Sequence, residues 1–213
     1  MSATNRGAQR HASDFYPTPE TAIEALLDNF PLGGGIKVLE PGAGSGNIIR
    51  ALRRYDNITI DAVEIREEER ETLAEIADDV LIGDYMSMEL GKYDAIIGNP
   101  PFSNAMDFVT KSYQHLNPGG VIIFLLRTAF LESKERFPFW KEHAGELAGL
   151  YTLHQRPSFT GKGTDATSYS WFIWKPGSNQ TTIKIIEEVH HEKEIDLYLF
   201  AVQRQRRQLR AQH

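Results

Sequence analysis

Asn99, Pro100, Pro101 and Phe102 follow directly on the apolar run Tyr93–Gly98. Proline cannot donate to a sheet ladder, and two in succession force the chain out of a sheet. The pattern predicts a buried strand stopping at a rigid corner that displays one amide side chain, backbone carbonyls no helix will use, and an exposed ring. Three more candidates stand at comparable places. Glu40-Pro41-Gly42-Ala43-Gly44-Ser45-Gly46 follows the apolar Ile36–Leu39, Glu64 lies near the end of Ile58–Ile65, and Asp84 follows Val80–Ile82 and Gly83. Glycines at 42, 44 and 46 allow close backbone approach by a ligand and tolerate positive φ. Their spacing is not that of the dinucleotide fingerprint, which needs one more residue before the last glycine. An acid at the tip of a second strand can accept hydrogen bonds from both hydroxyls of a ribose, and Asp84 could accept from an adenine amine. Singly, each acid reads as a surface carboxylate; in this order they point to an adenosine-containing ligand.

The elements that must position these residues are legible from periodicity. Thr18 suits a helix N-cap, Pro19 the first helical position and Glu20 the positive helix end; Ile23, Leu26, Leu27 and Phe30 then form one apolar face until 31–35 stops the helix. A helix carrying Ile48, Ile49 and Leu52 follows the glycine loop. Glu67–Ala77 reads as a charged helix, and Ala105–Leu116 as a helix closed by Asn117-Pro118-Gly119-Gly120. Val121–Leu126 is apolar enough for the centre of a sheet. Strands alternating with helices at this spacing imply parallel pairing through right-handed crossovers, and ligands of such α/β sheets gather outside the carboxyl ends of the strands. Every candidate falls there. Beyond Arg127 the pattern predicts a helix Leu131–His143 interrupted by Pro138, strands Leu147–Gln155 and Ser168–Trp174 joined by a polar loop, and an edge strand Thr181–Glu187. A final amphipathic helix is expected over Glu192–Leu209.

A length of 213 residues with 41% hydrophobic and 24% charged residues fits one globular domain with appendages. The absence of cysteine excludes disulfides, thiolate catalysis and cysteine-based metal sites. His190-His191-Glu192 matches no metal-ligand spacing, so no metal is expected. No apolar run reaches membrane-span length and the polar N-terminus lacks a signal-peptide core, so a cytoplasmic protein with no membrane partner is expected. The net charge of −6 argues against a protein that simply coats nucleic acid. Its distribution matters more: eight acids fall between Glu64 and Asp79, while Arg204, Arg206, Arg207 and Arg210 crowd the C-terminus. The acidic run reads as a solvated face; the arginines read either so or as a nucleic-acid contact.

Together, Glu40–Gly46, Glu64, Gly83-Asp84 and Asn99–Phe102 resemble the class I S-adenosylmethionine-dependent methyltransferases, and more closely the DNA adenine-N6 methyltransferases of bacteria and phages. Asp14-Phe15-Tyr16-Pro17-Thr18-Pro19 resembles the segment that precedes the glycine loop in one branch of them. The resemblance covers about residues 14–126. It implies a Rossmann-like, mostly parallel sheet with helices on both faces and one antiparallel strand near the C-terminal edge. The domain would span 14–187, with a flexible arm over 1–13 and a helix with a basic tail over 188–213. It implies S-adenosylmethionine as cofactor, with Thr18 and the helix start at the methionine carboxylate, Glu40, Gly42, Gly44 and Gly46 at the methionine end, Glu64 at the ribose, Asp84 with Tyr85 at the adenine, and Tyr16 and Ile65 also among the cofactor-binding residues. Asn99 would face the sulfonium methyl, and the Asn99 side-chain oxygen and Pro100 carbonyl would each accept one amine hydrogen. Phe102 would stack on an extruded base, with Phe159 over its other face; Trp171 and Trp174 are assigned to the core.

One departure stands out: only the loops of 127–167 and the C-terminal helix are available as a target-recognition region. The acceptor reading therefore stays open. Adenine N6 in DNA comes first, with DNA favoured over RNA as partner. A ribosomal RNA base or a glutamine amide of a protein shares the same corner chemistry, and a non-catalytic nucleic-acid-binding protein on the same fold is a third class.

Overall fold

The computed structural model describes residues 17–159 and 166–187. The expected arm, Tyr16, the His190–Glu192 group and the C-terminal helix with its arginines lie outside the described residues. Eight strands form one sheet: β1 (Lys37–Pro41), β2 (Thr59–Glu64), β3 (Asp79–Ile82), β4 (Tyr93–Gly98), β5 (Leu116–Arg127), β6 (Leu147–Leu153), β7 (Tyr169–Trp174) and β8 (Thr182–Ile186). Their order is β3-β2-β1-β4-β5-β7-β6-β8. Strands β1 to β5 are parallel, β7 runs antiparallel to both β5 and β6, and β8 is parallel to β6. The single antiparallel strand near the C-terminal edge is thus β7.

Successive side chains point to opposite faces of a sheet, and both faces here are covered. On β5, Val121, Ile123 and Leu125 join the core beneath helices α1 (Glu20–Asn29) and α2 (Asn47–Leu52), together with Leu73 of α3 (Arg70–Ala74). Ile122, Phe124 and Leu126 join the other core, which packs on α4 (Ala105–Gln114) and α5 (Phe137–His143). Trp171 and Trp174 are fully buried, one in each core, and the Trp171 indole N–H donates to the Ala22 carbonyl at 2.9 Å.

Three local expectations are corrected. Pro19, not Thr18, holds the N-cap of α1: its carbonyl accepts from the Ala22 and Ile23 N–H groups, and no side chain caps the helix. A residue before proline is driven to extended backbone, which keeps Thr18 outside the helix. Pro138 sits in the first turn of α5, where its missing N–H costs nothing, so it starts this helix instead of interrupting a longer one. The Asn117–Gly120 stretch, expected to lie between helix and strand, is an irregularity inside β5: between the pairs Tyr93–Leu116 and Ala95–Val121 the register slips. Gly119 there has φ +81, and a Cβ on Gly120 would lie 3.0 Å from the Asp94 carbonyl oxygen. Among the described residues, no helix is long and apolar enough to cross a membrane.

Candidate active site

Because β1 to β4 are parallel, their carboxyl ends open on one edge, and a cleft of about 590 Å³ runs along it. Its walls bring together Thr18, Glu40, Gly42, Gly44, Glu64, Ile65, Asp84, Tyr85 and Asn99. Gly46, Pro100, Phe102 and Phe159 are not among its lining; Pro101 stands there in place of Pro100.

The glycine loop is folded back onto the end of β2. Gly42 and Ala43 donate to the Val63 carbonyl at 2.8 and 2.9 Å, and Gly44 N–H donates to Glu64 Oε2 at 2.7 Å. All three loop glycines hold positive φ (74, 57 and 81°), the region that penalises any Cβ. Gly46 is itself the left-handed N-cap of α2, and a Cβ on it would collide with the Ile76 side chain. Gly46 therefore shapes the loop from behind. Asn47 Nδ2 donates to the Thr18 carbonyl at 2.9 Å, pinning the segment before α1 to the start of α2 and so to the cleft.

The two acids of β1 and β2 have opposite surroundings. Glu40 is 3% exposed, and its Oε2 finds no hydrogen-bond partner in the protein. Burial raises its pKa well above the ordinary 4.5; the Glu64 charge raises it further, while a backbone hydrogen bond from Ile49 and the Arg50 charge pull the other way. A cationic group in the cleft would supply what the protein withholds. The methionine end of S-adenosylmethionine carries an ammonium, so the residue fits the cofactor. Glu64 is equally buried but well served: Oε2 takes the Gly44 N–H, and Oε1 takes both Arg66 N–H and Nε at 3.0 Å. A carboxylate has about four lone-pair sites, so three are occupied. One ribose hydroxyl can be accepted as it stands, and a second requires Arg66 to yield. Arg66, which also pairs with Glu69, is a cleft residue the sequence reading missed.

Asp84 is exposed, and its Oδ1 caps the turn Tyr85–Ser87 by accepting Met86 N–H at 3.0 Å. Tyr85 is buried with its hydroxyl 3.1 Å from Ser112 Oγ and its ring 5.0 Å from Phe108; burial pushes its pKa up to about 12. It lines the cleft as an apolar wall with its hydroxyl committed elsewhere.

Asn99 is half-buried at the end of β4, beside Gly98, where a Cβ would lie 3.3 Å from the Pro41 carbonyl oxygen of β1. The Phe102 ring, expected to be exposed, is half-buried. It lies 5.5 Å from the ring of the fully buried Tyr169, and the Arg127 guanidinium lies 4.9 Å from its centroid. Phe159 meets Tyr169 edge-on at 5.0 Å. The structure thus brings Phe102 and Phe159 into one aromatic cluster through Tyr169, which periodicity alone marked only as a strand residue. A second hollow, of about 530 Å³, adjoins the cleft at Ser103 and is lined by Phe102, Ser103, Arg127, Phe130 and Arg136 among others.

This strand order, with one antiparallel strand and a glycine loop leading from β1 into α2, is that of the class I methyltransferase fold, whose cofactor is S-adenosylmethionine. A fold match agrees: a Listeria monocytogenes protein provisionally described as a class I S-adenosylmethionine-dependent methyltransferase superposes with a TM-score of 0.59 at 15% identity, over 78% of this chain and 65% of its own. The methyltransferase small domain family matches residues 18–142, and the chain belongs to that family. Among curated relatives, ribosomal RNA small subunit methyltransferase C of Haemophilus influenzae is 33% identical over 131 residues, 54% of this chain and 39% of that protein. The modification methylase CviBIII of Paramecium bursaria Chlorella virus NC1A is 33% identical over 94 residues, 40% of this chain and 25% of its own length. The chain therefore spans well under half the length of these relatives.

Proposed function

We propose that this protein transfers a methyl group from S-adenosylmethionine to the exocyclic amine of a base in nucleic acid, adenine N6 in DNA being the first reading. The observation that carries it is the position of Asn99, at the end of the strand next to the glycine-loop strand and in the wall of the cofactor cleft. An aromatic amine is a poor nucleophile, because its lone pair is delocalised into the ring. The Asn99 side-chain oxygen and the Pro100 carbonyl can each accept one amine hydrogen, favouring a pyramidal nitrogen. A neutral amide suits an amine that keeps both hydrogens until transfer. The bound cofactor supplies the electrophilic methyl; the protein supplies position and acceptor dipoles, with no general base needed beforehand. Glu40 would hold the cofactor ammonium, Glu64 a ribose hydroxyl, and Asp84 the adenine amine. Phe102, set in the second hollow, offers a ring to a base drawn out of its stack.

A ribosomal RNA acceptor is the second reading, favoured by the likeness to the H. influenzae ribosomal RNA methyltransferase. The test is incubation with methyl-labelled S-adenosylmethionine and a panel of DNA, ribosomal RNA and protein acceptors, followed by identification of the modified atom. Label on an adenine N6 of DNA is expected. Label on RNA would select the second reading, and label on a glutamine amide alone would refute both.

A further inference from the structure

Of the eight described arginines in this acid-rich chain, four hold carboxylates. Arg53 pairs with Asp78, Arg54 with Glu24 and Asp28, Arg66 with Glu64 and Glu69, and Arg70 with Glu67. Two arginines of the second hollow do not: among the described residues neither Arg127 nor Arg136 forms an ion pair with a carboxylate. Both rest on aromatic faces instead, Arg127 at 4.9 Å from the Phe102 centroid and Arg136 at 5.0 Å from that of Phe130. Arg136 is further fixed by Nη1, which donates to the Ala129 and Glu132 carbonyls at 3.1 and 2.7 Å. A ring beneath a guanidinium steadies it without neutralising it or consuming its N–H groups, whose planar fork matches a phosphate. The hollow adjoins the catalytic corner: Ser103 lines both it and the cofactor cleft.

Resting on the function proposed above, we infer that Arg127 and Arg136 form a phosphate-binding pair that seats the backbone of a polynucleotide acceptor next to its target base. Phe102 then serves two partners at once, a base through its ring and Arg127 through the same π system. A nucleic acid carries a phosphate on each side of the target nucleotide, so a charged pair beside the base pocket meets one in any sequence. This explains how a chain of net charge −6 can hold such a substrate. A glutamine amide on a protein brings no anion that two guanidinium groups would be needed to meet. Glu132, also lining the hollow, is the one acid there among the described residues and works against the pair.

The test uses the full chain, with single-stranded DNA and RNA oligonucleotides and a duplex of the same sequence, read by fluorescence anisotropy over a salt series. Arg127→Gln should weaken oligonucleotide binding on the order of tenfold or more, the scale of one charged hydrogen bond. It should also lower the slope of log K against log salt by about 0.7 to 0.9. Arg136→Lys, which keeps the charge, should weaken binding less than Arg136→Gln. Glu132→Gln should tighten binding. The dissociation constant for S-adenosylhomocysteine, measured in parallel, reports whether each variant is folded. Unchanged affinity and salt slope in Arg127→Gln, with that constant unmoved, would overturn the pair even if the protein methylates nucleic acid. Conversely, an oligonucleotide whose binding follows these changes but never receives a methyl would sustain the pair and remove the methyl-transfer reading. Transfer to a protein amide alone, with no oligonucleotide binding, would overturn both.

Discussion

Glu40→Gln is the sharpest perturbation of the cofactor cleft, because it should move two observables in opposite directions. Glu40 is 3% exposed, has one oxygen without a partner, and has its pKa raised well above 4.5, chiefly by burial. A carboxyl whose folded pKa exceeds its unfolded value retains a proton that the unfolded chain has already released. Stability is then lost as pH rises from about the unfolded pKa up to the raised folded one, and stays lost above it. Replacing the carboxyl by an uncharged amide of the same shape removes that cost. A buried polar group without its partner costs about 1–3 kcal/mol. For a chain of this size 1 kcal/mol shifts Tm by about 2–4 °C. The ligand-free variant should therefore melt about 2–12 °C above the wild type at pH 7, with the gap closing as pH falls toward 4.5. Cofactor binding should change the other way. A hydrogen bond between charged groups contributes about 1.5–3 kcal/mol, so affinity for S-adenosylhomocysteine should fall about 10- to 150-fold. Wild-type affinity should rise with pH until Glu40 is ionised, with proton release on binding, and the variant should lack both. Thermal melts from pH 4 to 7 and titration calorimetry in two buffers of different ionisation enthalpy measure these effects. A variant that binds as tightly as the wild type, with no gain in melting temperature, would refute the assignment of Glu40 as partner to the ammonium.

Other expectations separate binding from chemistry. Asn99→Ala should lower kcat by about 10²–10³-fold, the scale of a lost oriented dipole, while S-adenosylhomocysteine affinity stays within a few-fold; undiminished turnover would sink the amine-positioning role. Glu64→Ala should weaken cofactor binding and also lower Tm, since the Gly44 N–H and Arg66 lose their shared acceptor; an affinity equal to the wild type would mean the ribose lies elsewhere. Phe102→Ala should raise the acceptor KM by the equivalent of about 1–3 kcal/mol of lost stacking, and an unchanged KM would remove the ring from the acceptor site.

Much of the fold was legible because burial on two faces leaves an unmistakable trace. Val121–Leu126 is apolar at every position, as a strand covered by helices on both sides must be. The glycine loop was legible for a related reason: positive φ at alternate positions leaves few choices but glycine. What escaped depends on partners far away in sequence. Asp61 on β2 looks like a surface acid, yet it is buried, accepts from the Tyr93 hydroxyl at 2.9 Å and pairs with Lys37 at 2.7 Å. Nothing in the local pattern around 61 announces a tyrosine on a non-adjacent strand. Pro138 was misplaced because a proline forbids a helix interior and welcomes a helix start equally strongly, and only the turn before it decides which.

The candidate site shows the same division more finely. The types and order of Glu40, Glu64, Asp84 and Asn99 were readable, because strand ends in a parallel sheet must converge. Their electrostatic states were not readable, since these depend on which N–H groups the loops deliver. Glu64 receives three and is nearly complete, whereas Glu40 on the neighbouring strand keeps one oxygen unserved. Two buried carboxylates side by side raise one another's cost, and the protein settles that cost for Glu64 alone. On the proposed function the unsettled one is where the cofactor ammonium would bind, which is why the response of Glu40 to pH bears more directly on that proposal than the glycine loop does.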